Sequence, residues 1–276
     1  FLVACIPQAM AQKQSRLEKL LRYLNDNDAD KWQKNREKLD DETKAYYAED
    51  LSLMDVLNDL WNGQSEQAAT LYFGCYEKAA QNNFPGICEG EKIPLSQIRD
   101  KADQSIINLL EASKDKIPFS RALLDSIHAT EYPVDSAMLQ RLQNIREVAL
   151  LEGMLKAPTP IIYQTYVKEY PNGKFIAQVN ASENVRLYQL VKTTPTPANF
   201  KAFFEDPEMQ KYYQDRGPRP YLAEVRTLYD DFLFQRIDSL KKEGNATAIR
   251  QIIDDYKNTP YLATGARTCL LYTSDA

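Results

Sequence analysis

The chain has 276 residues, with 34 Lys and Arg against 39 Asp and Glu for a net charge of −5, and 9 glycines against 17 tyrosines. An acidic chain without a basic stripe lacks the electrostatic footprint of a nucleic-acid binder. After Gln12 no apolar run reaches the roughly 18 residues of a membrane span, and scarce glycine with abundant Leu, Ala, Lys, Glu and Gln favours helix over sheet.

Phe1–Pro7 is apolar, and Ala9-Met10-Ala11 places small residues where signal peptidase requires them, so residues 1–11 read as the tail of a secretory signal peptide. Leu2-Val3-Ala4-Cys5 also resembles a lipoprotein box that would anchor lipid at Cys5. The apolar Ile6-Pro7 that follows is unlike the polar tether of such anchors, so ordinary cleavage is preferred.

Residues 12–116 form an N-terminal helical region. Arg16–Leu24 has apolar residues at 17, 20, 21 and 24, and Asn25–Asp28 stops that helix and offers caps to the next. Ala29–Leu39 and Glu42–Trp61 continue as helices, the second carrying Leu51, Met54, Leu57, Leu60 and Trp61 on one side and ending at Gly63. Ser65–Gln81 starts like a capping box, Phe84–Pro94 is irregular, and Leu95–Lys116 reads as one long helix. With Cys5 in the leader and Cys269 at the far end, Cys75 and Cys88 remain. In an oxidising compartment they could form a disulfide worth on the order of 3 kcal/mol, and two buried thiols are the alternative.

From Ile117 to Arg267 a pattern repeats. Pro118, Pro160 and Pro197 each open a short helix, where a missing N–H costs nothing. Thr159 and Thr196 precede two of them as N-caps. Tyr163, Tyr166 and Val167 align with Phe200, Phe203 and Phe204 and with Ile249, Ile252 and Ile253, one apolar stripe per short helix. The long partners are Ser136–Lys156, Lys174–Lys192 and Tyr221–Lys242, with an extra short helix expected at Glu208–Gln214 after Asp206-Pro207. The closing tyrosines Tyr132, Tyr170 and Tyr256 stand 38 and 86 residues apart, a period near 40 with two helices per period. Such a unit cannot bury enough surface alone and needs stacked neighbours. Tyr76–Pro85 reads as an earlier, diverged copy. Residues 268–276 are set apart: Cys269–Ala276 resembles a translated sequencing-library adapter, which would make the chain a fragment from environmental sequencing, cut within a repeat.

Chemistry is sparse. His128 is the single histidine, which removes multi-histidine metal sites, and its alignment with Tyr166 predicts a packed helix residue. Neither a Gly-x-Ser-x-Gly elbow nor a phosphate-binding glycine loop is present. Asp230-Asp231 and Asp254-Asp255 are adjacent pairs that point about 100° apart on a helix and make poor acid/base partners. No catalytic residue, metal ligand or cofactor site is assigned. Tyr188, Tyr212, Tyr213 and Tyr229 are candidates to line a partner-binding groove, with packing between repeats as the alternative. Arg216 and Arg219, among prolines, are expected to form a rigid, exposed basic turn.

The segment Tyr166–Phe175, with its Tyr-Pro-Asn before an aromatic residue, resembles the tetratricopeptide-like repeat families of the bacterial cell envelope, among them the outer-membrane assembly lipoprotein and the Tol–Pal-associated cell-division coordinator. Asp255–Tyr261 fits less well, and the spacing is longer than the 34 residues usual for such repeats. The resemblance covers Phe119–Arg267. It implies an all-α, right-handed solenoid of about 11–13 helices, acting in the periplasm or cell envelope as a scaffold for a protein or peptide partner. Two other expectations stand beside it: the helical N-terminal region of a larger secreted hydrolase or peptidase, or a glycan-uptake component.

Overall fold

The computed structural model describes residues 8–63, 65–88, 93–256, 259 and 261–262, with 8–12 as backbone alone. Among these residues the regular structure is all helix and no strand, which makes the fold all-α. Phe1–Pro7 with Cys5, and Cys269–Ala276, lie outside the described residues. The chain divides into two compact units, Phe1–Ala149 and Leu150–Ala276. The division falls inside a long helix and not at Ile117, the boundary expected from the sequence pattern.

The first unit starts with α1 (Gln8–Asn25), α2 (Ala29–Glu37), α3 (Asp41–Tyr46) and α4 (Ala48–Asn58). Asp28 and Asp40 cap α2 and α3, their carboxylates accepting the Lys31 and Thr43 N–H groups at 3.1 and 2.8 Å. The expected Glu42–Trp61 helix is broken at Tyr47, which leaves helical geometry at φ −107°, ψ 30° and is itself buried. A π turn over Asp59–Gly63 extends α4. Next come α5 (Glu66–Gln81), capped by Ser65, the one-turn α6 (Pro85–Cys88) and α7 (Leu95–Ala112). The break at Tyr47 and the presence of α6 raise the number of segments above the 11–13 expected. The helix expected to run to Lys116 stops at Ala112, because Ser113 turns extended and its hydroxyl takes the Asp115 N–H at 3.0 Å.

No disulfide joins Cys75 and Cys88. Cys75 is half-buried on α5, 3.6 Å from the Ser52 hydroxyl of α4, whereas Cys88 is an exposed thiol ending α6, which packs on α1 and α4. Gly86 explains that packing. Its N–H donates to the buried Asp50 carboxylate at 3.1 Å, and a Cβ there would lie 2.9 Å from the Tyr47 ring.

After α8 (Lys116–His128), Tyr132 does more than end a repeat. Its ring is buried edge-on against Tyr72, Phe73 and Tyr76 with centroids 5.4, 5.0 and 5.0 Å away. Its hydroxyl donates to Asp103 of α7 at 2.6 Å and lies 3.3 Å from that of Tyr72. The core face of α8 is Phe119, Leu123, Leu124 and Ile127, and His128 is exposed. Aligning Tyr132 with Tyr170 shifts that stripe out of register, because Ala129–Glu131 separate α8 from Tyr132 whereas α10 ends directly before Tyr170.

The helix α9 (Ser136–Lys156) leads into the second unit: α10 (Pro160–Glu169), α11 (Ile176–Thr193), α12 (Pro197–Glu205), α13 (Pro207–Tyr213), α14 (Leu222–Lys242) and α15 (Ala246–Tyr256). Thr159 and Thr196 cap α10 and α12 at 3.3 and 3.2 Å, with proline in the first turn of each. The extra helix forms as expected, capped by Asp206 at 2.8 Å. Within this unit α11 packs on α10, α12, α13 and α14, and α14 on α15. Tyr163, Tyr166, Phe200, Phe203, Phe204, Ile252 and Ile253 are buried, so the recurring stripe is core.

Burial pushes the Asp103 carboxyl up from 3.8 to about 6, partly offset by the Tyr132 hydroxyl that bonds it. Between about pH 4 and 6 the folded chain keeps a proton that the unfolded chain has released, so this group's contribution to stability falls as pH rises through that window. Asp103→Asn keeps an acceptor for Tyr132 and removes the titration. Chemical denaturation from pH 4 to 7 is expected to show the variant gaining on the parent by on the order of 2 kcal/mol as pH rises. A constant difference across the window would contradict this.

Candidate functional site

One face of α11 carries polar residues where a core stripe belongs. Asn180, Glu183 and Asn184 are at most 2% exposed, on the same helical line as buried Leu187 and Val191. Buried polar groups persist only when bonded, and each of these is. The Tyr163 hydroxyl of α10 donates to Asn180 Oδ1 at 3.0 Å, and Asn180 Nδ2 donates to the Ile176 carbonyl at 2.8 Å. Glu183 takes both forks of Arg186 at 2.6 and 2.7 Å, which raises the pKa of that guanidinium further. Asn184 Nδ2 donates to the Pro220 carbonyl at 3.2 Å and its Oδ1 accepts Arg219 Nε at 2.6 Å. Arg219 Nη1 donates to the Phe203 carbonyl, and its guanidinium lies 4.0 Å above the Phe203 ring. Burial lowers the Arg219 pKa. The row thus ties α11 to α10, α12 and the connection before α14.

Two hollows flank this row and share Pro207. The first is a groove of about 550 Å³ between α10, α11, α12 and α13, lined by Tyr163, Gln164, Glu183, Arg186, Ala202 and Glu208 among others. The second, of about 580 Å³, runs beside α13 and the turn to α14 and is lined by Phe204, Met209, Lys211, Tyr213, Arg219 and Leu222. Among the described residues no group of three or more His, Cys, Asp or Glu is placed to hold a metal ion.

The residues singled out from the sequence fall into different settings. Tyr229 is 1% exposed, packed edge-on against Phe200 and Tyr256, so it is core and does not line a surface groove. Tyr188 is buried too, its hydroxyl donating to Glu224 at 2.8 Å and its ring stacked on Tyr221 at 4.3 Å. Tyr212 and Tyr213 are half-buried and edge-to-face at 5.0 Å. Arg216 is exposed, 4.4 Å over the Tyr212 ring. Arg219 turns inward, which corrects the expectation of a wholly exposed basic turn. Of the six, only Tyr213 and Arg219 line one hollow together. The polar row was missed, although its helical alignment with Leu187 and Val191 is a signal that the positions are buried. Comparison with protein-family models, curated proteins and solved structures finds no match to this chain.

Tyr229→Ala is expected to cost about 3–5 kcal/mol, in the range of large aromatic truncations, and Arg216→Ala to change stability by no more than about 0.5 kcal/mol. Urea unfolding of both variants checks the contrast, and comparable losses would contradict the placement of Tyr229 in the core.

Proposed function

We propose that the chain is an exported bacterial helical-repeat scaffold that holds a protein or peptide partner in the periplasm or cell envelope. In this reading its helix pairs form a right-handed, tetratricopeptide-like solenoid. The observation that carries it is the second unit's groove. Two successive short helices, each opened by Thr-Pro and anchored by an aromatic stripe, flank the long helix between them and leave an open channel. Stacked repeats generate such grooves as a by-product of their packing. The bonded row on α11 sets the groove's walls rigidly, and a pre-set surface loses less entropy when a partner docks. The apolar segment before Gln12, read as a secretory leader, supports export.

Photo-crosslinking residues placed at the exposed groove positions Gln164 and Ala202, with Lys38 of the first unit as control, test this reading in the native cell. The expected outcome is a discrete adduct in the envelope fraction from the groove positions alone. Equal labelling from Lys38, or adducts in no fraction, would count against it.

A further inference from the structure

The two hollows of the second unit differ in charge. The groove's lining includes Glu183, Glu205, Asp206 and Glu208 against Arg186 and Lys201. The hollow beside α13 is lined by two cations, Lys211 and Arg219, and among the described residues by no carboxylate. Its remaining surface is largely apolar, from Phe204, Met209 and Leu222. That is a local excess of positive charge in a chain of net charge −5.

Arg219 is the informative residue. A half-buried guanidinium usually meets a carboxylate fork. Here its described bonds go to neutral acceptors, Asn184 Oδ1 and the Phe203 carbonyl, and its buried Nη2 has no acceptor among the described residues. Asp206 and Glu183 act on it through space, but both are committed. Asp206 caps α13 at the Met209 N–H, and Glu183 is forked to Arg186. An unpaired buried donor is costly, and a carboxylate that enters the hollow and draws the Arg219 guanidinium toward it would remove that cost.

We propose that this hollow receives a carboxylate borne next to an apolar side chain, that is, an acidic-hydrophobic segment of the partner. The proposal deepens the scaffold reading and rests on it. The carboxylate meets Arg219 and Lys211, and the apolar side chain lies against Phe204, Met209 and Leu222. A single negative charge suits the site better than a doubly charged phosphate, because Asp206 and Glu183 are close enough to repel the second charge.

The test is a titration of the isotope-labelled full chain, followed by nuclear magnetic resonance, with acetyl-Leu-Asp-Leu-amide, its Asn counterpart and inorganic phosphate. The acidic peptide is expected to give saturable shifts at the Arg219 Nε–H and at amides of Met209–Tyr213. The Asn peptide is expected to bind about tenfold more weakly, the factor expected for losing a charge-assisted pair. Lys211→Gln, an exposed change, is expected to weaken the acidic peptide while leaving the spectrum of α11 unchanged. Equal shifts from both peptides, tighter binding of phosphate, or no shifts up to millimolar peptide would overturn the proposal. Peptide failure with groove crosslinking intact removes this site and leaves the scaffold reading. Peptide binding with groove crosslinking absent does the reverse.

Discussion

The second unit depends on covering helices too short to stand alone. In water an isolated helix below about 12–15 residues is marginal, and α10 and α12 have 10 and 9. They persist because Tyr163 and Tyr166, and Phe200, Phe203 and Phe204, are buried against the long helices beside them. The Thr caps and first-turn prolines choose where these helices begin. The aromatic stripe supplies the stability that the backbone alone lacks. This mutual dependence between neighbours is the property that lets repeats stack and leave grooves between them.

The polar row on α11 adds register to that packing. An apolar helix face can slide against another with modest loss, but a row of bonded side chains accepts one alignment. Tyr163 to Asn180 fixes α10, and Arg219 to Asn184 and the Phe203 carbonyl fixes α12 and the turn before α14. The half-buried guanidinium is therefore part of the packing and at the same time the inner wall of a hollow. In the first unit Tyr132 plays a comparable part, tying the loop after α8 to α7 through Asp103.

Features governed by local chemistry were legible in the sequence. Asp28, Ser65, Thr159 and Thr196 are the N-caps their positions suggested, and Asp206-Pro207 opens the extra helix α13. Features decided by tertiary neighbours were not. Nothing local distinguishes Tyr47 as a break or Tyr229 as core, because tyrosine suits both surface and interior. His128 is exposed, contrary to its alignment with Tyr166, because three residues separate α8 from Tyr132 and none separates α10 from Tyr170. By residue type Asn180 and Asn184 give no local signal of burial, and their partners stand 17 to 36 residues away, while Glu183 is bonded to Arg186 on its own helix. The candidate site was legible as aromatic and basic composition near Tyr213 and Arg219, and not as geometry.

The dependence of short helices on their neighbours is tested most directly by hydrogen exchange in the Phe200→Ala protein. The account predicts faster exchange in α12, α13 and the facing part of α14, with α10 keeping its parent protection. An equal rise across α10–α15 would contradict it, since the unit would then open as one indivisible core.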